Sequence, residues 1–336
     1  MSHAAEAPPA ARRVDVPALV AGAREGDARS VARLISLVED GHPALREVAA
    51  ALAPLTGSAA VLGVTGPPGV GKSTATSALV AALRARGRRV GVLAVDPSSP
   101  FSGGALLGDR VRMQEHALDP GVYIRSMASR GRLGGLSEAT PQAVRVLDAA
   151  GCDVVVVETV GVGQSEVEVA GLADTTLVLV APGAGDGVQA AKAGVLEVGD
   201  VFVVNKADQP GADAAVRDLE QMVRLGQHGM GAAPDRPGPG TWRPPVLRAV
   251  ASQGSGIAEL VAAVDAHRQW AAATGELAAR RHRRAAREVE ALATAALRRR
   301  WGADLRGDGR LDALAADVVA GRLDPYAAAD LLTPSP

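Results

Sequence analysis

Seven short apolar runs, each bounded by Gly, Pro or Asp, constrain the fold of this chain more than any other feature. They are Val61–Val64, Val90–Val95, Val122–Ile124, Val154–Val157, Thr176–Val180, Val201–Val204 and Val246–Val250. The runs are continuous in hydrophobicity and do not alternate with polar residues, the pattern of strands buried on both faces. Helical stretches such as Ser73–Arg86 and Ser137–Ala150 separate them. That interleaving predicts an α/β fold, with a mainly parallel sheet flanked by helices.

The first run opens into Gly66-Pro67-Pro68-Gly69-Val70-Gly71-Lys72-Ser73-Thr74, a full match to G-x-x-x-x-G-K-[ST]. A strand before it and a helix after it are the context the motif requires. Its glycines let backbone N–H groups wrap a β-phosphate, and the helix N-terminus adds the positive end of its dipole. Lys72 is expected to bridge the β- and γ-phosphates, and the Ser73 hydroxyl to ligate Mg²⁺. A phosphate cradle of this kind predicts a P-loop nucleotide-binding protein.

Asn205-Lys206-Ala207-Asp208 follows the sixth apolar run and fits N-K-x-D, the guanine-reading element of P-loop GTPases. The Asp208 carboxylate can accept from guanine N1–H and the exocyclic amine, a donor pair that adenine lacks. Lys206 would pack along the base, and Asn205 would tie this loop to the P-loop. Val250, Ala251 and Ser252, after the last strand, sit where a second base-contacting loop is expected. Carboxylates for a Mg²⁺–nucleotide stand at strand ends: Asp96 closes Val90–Val95 and Glu158 closes Val154–Val157, while Asp109 lies in the loop Pro97–Arg112. The predicted metal set is therefore Ser73, Asp96, Asp109 and Glu158, with Lys72, Asp109 and Glu158 acting in hydrolysis. Glu158-Thr159-Val160-Gly161 replaces the commoner D-x-x-G, and Val162 stands where Ras-like proteins carry a water-positioning Gln, with Gln164 two residues on. Slow intrinsic hydrolysis follows as an expectation, completed by a partner or by switch closure.

Lysine usage points the same way. Only Lys72, Lys192 and Lys206 occur among 36 basic residues; Lys72 and Lys206 fall in these motifs, and Lys192 lies in the Gly-rich segment APGAGDGVQAAKAG. Arginine serves elsewhere, and the two cations are not interchangeable where a point charge must fit between phosphates. The only asparagine is Asn205.

A net charge of −1 provides no global field for nucleic acid or an anionic membrane. No stretch reaches a membrane span and the N-terminus lacks an apolar signal core, so a cytoplasmic protein is expected. Cys152, the single cysteine, precedes a valine run and reads as a buried, inert thiol. Residues 1–13 read as a disordered tail and 14–55 as an N-terminal helical extension, with Val31, Leu34, Ile35 and Val38 at helical spacing. Residues 56–272 form the expected P-loop GTPase domain. Residues 273–336 are expected to be a C-terminal helical dimerisation extension, because Val289, Leu292, Ala293, Ala296, Leu297 and Trp301 make an apolar stripe that needs a partner surface. The arginines crowding that helix read as a solvated face. Residues 226–245 are a Gly/Pro-rich loop.

These residues together resemble the methylmalonyl-CoA mutase-associated GTPases of the MeaB/ArgK type. The matching stretches are VTGPPGVGKST, LAVDPSSPFSGGALLGDRVRM, IRSMASRGRLGGLS, VVVVETVGVGQSE, APGAGDGVQAAKAG and VFVVNKADQPGA. The resemblance implies a dimeric GTPase that loads and guards an adenosylcobalamin-dependent acyl-CoA mutase, using GTP/GDP and Mg²⁺. By position it assigns Asp96 and Asp109 to the metal site and first switch, and Glu158 to the second switch. Asp186 and Lys192 belong to a third loop that signals the nucleotide state to the mutase, with Arg112 as its charge partner. A nickel-delivery maturation GTPase would need clustered Cys or His; this chain has one Cys and six scattered His. A kinase for an amino-acid transport system would leave Asn205-Lys206-Ala207-Asp208 without a purpose.

Overall fold

The computed structural model describes residues 14–96, 113–128, 139–159, 165–183, 198–229, 240–307 and 309–332. Its centre is β1 (Ala60–Thr65), whose carboxyl end feeds the phosphate motif. The sheet comprises β2 (Val90–Asp96), β3 (Val122–Ala128), β4 (Val154–Thr159), β5 (Thr175–Val180), β6 (Val201–Val204) and β7 (Val246–Arg248) with β1, in the order β3-β2-β4-β1-β5-β6-β7. Every pairing is parallel. The seven expected strands are present, β3 running four residues further than its apolar run and β7 stopping two residues earlier. β7 stops because Val250 leaves the ladder for an antiparallel bridge with Ser255.

Strand side chains alternate between two helical layers. Val61, Val155 and Val157 join one core with α1 (Val16–Arg24), α2 (Ala28–Glu39), α3 (Leu45–Leu52) and α5 (Thr140–Ala149). Leu62, Val64, Val154 and Val156 join the other, with α4 (Lys72–Ala85) and α8 (Ile257–Ala273). The helix α6 (Ser165–Leu172) covers β1, and α7 (Ala212–Gly229) covers β5 and β6 through Val216 and Leu219. Helix α7 thus takes up the first four residues of the expected 226–245 loop.

Residues 14–55 share their core with the sheet. Asp27 caps α2 by accepting from the N–H groups of Arg29 and Ser30 and from the Ser30 hydroxyl, and these bonds lower its pKa. Arg125 on β3 pairs with the half-buried Glu39 of α2, and the Tyr123 hydroxyl donates to the Gly26 carbonyl at 3.1 Å. The helices therefore pack on one face of β3, the edge strand of the sheet.

At the sheet's amino edge, aspartates hold the strand entries. Asp148 accepts from the Gly57 and Ala59 N–H groups and the Ser58 hydroxyl, Asp174 from Val61 N–H, Asp153 from Arg89 N–H and Asp200 from Thr176 N–H. A hydrogen bond to a charged acceptor contributes roughly 1.5–3 kcal/mol. Beside Asp200, the fully buried His267 places Nδ1 2.8 Å from the Thr175 hydroxyl and Nε2 3.2 Å from Asp200. Trp242 stacks edge-on against His267 and donates its indole N–H to the Asp200 carbonyl. Trp270 donates to the Gly240 carbonyl, so the described end of the Gly/Pro-rich segment is fixed here, far from the phosphate end of the strands.

The chain divides into two compact units, Met1–Leu277 and Ala278–Pro336. The second holds most of α9 (Glu276–Gly307), with α10 (Arg310–Val319) and α11 (Pro325–Leu332). Within it Arg310 donates to the Leu331 carbonyl, tying α10 to α11. Val289, Leu292 and Leu297 of the expected stripe are exposed.

Candidate functional site: a phosphate cradle joined to a base-reading loop

Between β1 and α4 the chain takes conformations that few residues other than glycine adopt. Gly66 has φ +138°, and a Cβ there would lie 2.1 Å from the Leu179 carbonyl oxygen of β5. Gly71 has φ +89°, and its Cβ would lie 2.6 Å from Asn205 Nδ2. Both contacts are impossible for a side chain, so these glycines set how closely the loop approaches its neighbours. Lys72 opens α4 and donates to the carbonyls of Gly66 and Pro67 at 2.8 and 3.0 Å. Its ammonium thus lies across the loop that is to hold phosphates. Val70 is buried beneath the loop, while Pro68, Gly69 and Thr74 are exposed.

Ser73 donates from Oγ to Glu158 Oε1 at 2.6 Å, and both side chains are buried. Glu158 sits in register with Val64 of β1 and Ala94 of β2, which aims it at the start of α4. A hydroxyl and a carboxylate oxygen this close at a P-loop helix form a hard-oxygen donor pair that suits Mg²⁺. Ser73 and Glu158 therefore fit the ion that the motif implies. Asp96 ends β2 at the same edge of the sheet; its side chain lies outside the described residues. Asp109, Arg112, Asp186 and Lys192 also lie outside them, as do Gly161, Val162 and Gln164.

Asn205 joins three segments. Its Nδ2 donates to the Val70 carbonyl at 2.9 Å, and its Oδ1 accepts from Ala251 N–H at 3.1 Å. Ala207 N–H donates to the Ala249 carbonyl, completing the link between the loops after β6 and β7. The P-loop, the Asn205–Asp208 turn and Val250–Ser252 are thus joined into one wall. Lys206 donates to the Gly69 carbonyl at 2.8 Å. It is the single non-glycine residue with positive φ among the described residues, at +56°. That conformation costs about 1–2 kcal/mol, and it directs the lysine stem over the P-loop. Asp208 is exposed.

A parallel sheet with a phosphate loop at its central strand and a base-reading loop two strands away defines a P-loop GTPase. The family model for methylmalonyl-CoA mutase-associated GTPase MeaB matches residues 31–305, and the chain belongs to that family. It is 45% identical over 314 residues to a putative GTPase of Pyrococcus abyssi, covering 94% of each chain. It is 39% identical to the GTPase ArgK of Escherichia coli, over 76% of each. Among solved structures, one titled LAO/AO transport system kinase superposes with a TM-score of 0.70 at 28% identity, covering 96% of this chain and 98% of that one. The protein is a GTPase, and its fold is the α/β architecture expected from the apolar runs.

Proposed function

We propose that this GTPase is a Mg²⁺-dependent chaperone for an adenosylcobalamin-dependent acyl-CoA mutase, gating cofactor loading and protecting the loaded enzyme. Family membership supports the partner class. The observation that carries the nucleotide chemistry is the Asn205 bridge, which fastens the base-reading loop directly to the phosphate loop. A shift of either loop on GTP binding is thereby felt by the other.

The residues act as follows. Backbone N–H groups of Gly66–Ser73 and the Lys72 ammonium bind the phosphates, and Ser73 and Glu158, with Asp96 and Asp109, hold Mg²⁺. Bound there, the ion would supply charge neutralisation to the phosphates. Asp208 accepts from the guanine edge, Lys206 covers its face, and Val250–Ser252 close the other side. Arg112, Asp186 and Lys192 report the nucleotide state to the mutase. The exposed stripe of α9 supports a homodimer, because three apolar side chains on one helix favour burial against a second copy by roughly 1.5–3 kcal/mol each.

The test is GTP turnover by the full chain with and without purified methylmalonyl-CoA mutase. The reading expects slow turnover alone, below about 1 s⁻¹, and a change of at least severalfold with the mutase. Lys192→Ala should keep normal GTP affinity and lose the mutase response. No response and no co-migration in any nucleotide state would remove the mutase from the account while leaving the GTPase intact.

A further inference from the structure

Helix α4 carries more than the phosphate loop. Ser73, Ser77 and Arg84 lie at i, i+4 and i+11, which at about 100° per residue places them within a stripe about 40° wide. Ser73 is bonded to Glu158. The other two residues bind a different segment, Met113–Asp119, which directly follows the loop bearing Asp109 and Arg112 in the sequence.

The Ser77 hydroxyl donates to the Glu115 carboxylate, and His116 Nε2 lies 3.0 Å from both Oγ and the carbonyl oxygen of Ser77. A carbonyl only accepts, so Nε2 carries a proton and forks it between the two oxygens. The imidazole therefore offers Ser77 no lone pair at Nε2. Glu115 also approaches Nε2, at 3.6 Å. The three groups form a joint, and the arrangement is not that of a base activating a nucleophile. Two turns on, Arg84 grips Asp119 with two 2.8 Å bonds, and this contact lowers the Asp119 pKa. Met113 is fully buried in the same core as Val70, Ala75 and Leu79 of the P-loop and α4.

We propose that Ser77 and His116 are positioning residues for GTP hydrolysis. They fix the 3-10 turn Gln114–His116 to the phosphate-binding helix, so the chain toward Asp109 begins at a set distance from Ser73 and its metal site. Ser77 touches no phosphate position and acts through that turn. The inference rests on GTP hydrolysis at the P-loop and is independent of the mutase reading.

The test compares Ser77→Ala, His116→Leu and His116→Gln in the full chain. The last keeps an N–H donor at a reach similar to Nε2. GDP affinity is measured by fluorescence titration, and GTP cleavage by single turnover across a Mg²⁺ titration. Ser77→Ala and His116→Leu should keep GDP affinity within about twofold yet cleave GTP roughly tenfold more slowly, with the Mg²⁺ midpoint raised; this corresponds to about 1.4 kcal/mol in the barrier. His116→Gln should recover most of the rate. Wild-type cleavage in Ser77→Ala overturns the proposal. A parallel loss of GDP affinity also overturns it, because it shows general damage to α4. Should Ser77→Ala not fold, the His116 pair decides alone: equal rates for Leu and Gln count against the joint. Failure of the unaltered protein to bind GDP would instead strike the GTPase reading itself.

Discussion

Asn205→Asp changes one atom pair in the wall of the site and should be among the most damaging isosteric substitutions in the chain. In the native protein Nδ2 donates to the Val70 carbonyl at 2.9 Å while Oδ1 accepts from Ala251 N–H, and the side chain is 3% exposed. Removing both bonds in Asn205→Ala leaves two largely buried backbone groups without this partner. At roughly 1–3 kcal/mol each, the loss is about 2–6 kcal/mol. The Ala251 bond survives in Asn205→Asp, yet a carboxylate oxygen now faces the Val70 carbonyl oxygen inside the protein. An unpaired buried charge costs several kcal/mol, at least as much as the truncation. Protonation turns that oxygen into a donor, so burial and the facing carbonyl both raise the pKa of the introduced group. A raised pKa means that stability is present at low pH and lost as pH rises through it. Thermal unfolding should show a midpoint about 8–16 °C below wild type for a central loss of about 4 kcal/mol, since a unit of this size loses about 2–4 °C per kcal/mol. The deficit in Asn205→Asp should shrink between pH 7.5 and 5.5, and GDP affinity should recover in the same direction. A variant as stable as wild type at pH 7.5, or one whose deficit ignores pH, would refute the claim that this side chain bridges the two loops.

Other outcomes follow from single contacts. Gly66→Ala should abolish soluble expression or nucleotide binding, because its Cβ meets the backbone oxygen of Leu179 and no rotamer relieves that clash; a folded variant with normal GDP affinity would contradict the loop geometry. Cys152 is buried and desolvation raises its thiol to about 12 from 9.0. It should resist alkylation at pH 8 until the protein unfolds, and it should contribute stability that is complete below about pH 9 and lost as pH climbs toward 12. The difference in melting temperature between wild type and Cys152→Ala, followed from pH 8 to 10.5, reads that slope. Leu292→Asp with Leu297→Asp should convert the proposed dimer into a monomer by light scattering while leaving GDP binding intact; a mass equal to that of wild type would count against α9 as a dimer interface.

Local chemistry made the sheet and the nucleotide wall legible in the sequence. The valine-rich runs have one stable home, the middle of a doubly covered parallel sheet. The glycines, Lys72, Ser73 and Asn205 have side-chain or backbone requirements that leave little choice of place. What escaped was tertiary pairing between groups that are ordinary in isolation. Ser77 and His116 carry no motif, although the Ser73-Ser77-Arg84 stripe on α4 was there to be noticed. Asp148, Asp153, Asp174 and Asp200 belong to no sequence motif, and only the tertiary structure shows which strand entries they satisfy. Residues 14–55 read as an extension because helical periodicity reports an apolar face and says nothing of what it covers; the Arg125–Glu39 pair and the shared core supply that answer.

The central claim is that a guanine nucleotide lies on the Gly66–Ser73 backbone with its purine held by Asp208. Competitive titration of wild type and Asp208→Asn with GDP, ADP and XDP in Mg²⁺ tests it most directly. Wild type should prefer GDP over the other two by at least about a hundredfold, or roughly 2.8 kcal/mol, and Asp208→Asn should transfer that preference to XDP, whose extra carbonyl matches an amide donor. Equal affinity of wild type for GDP and ADP, or an unchanged order in the variant, would contradict the claim.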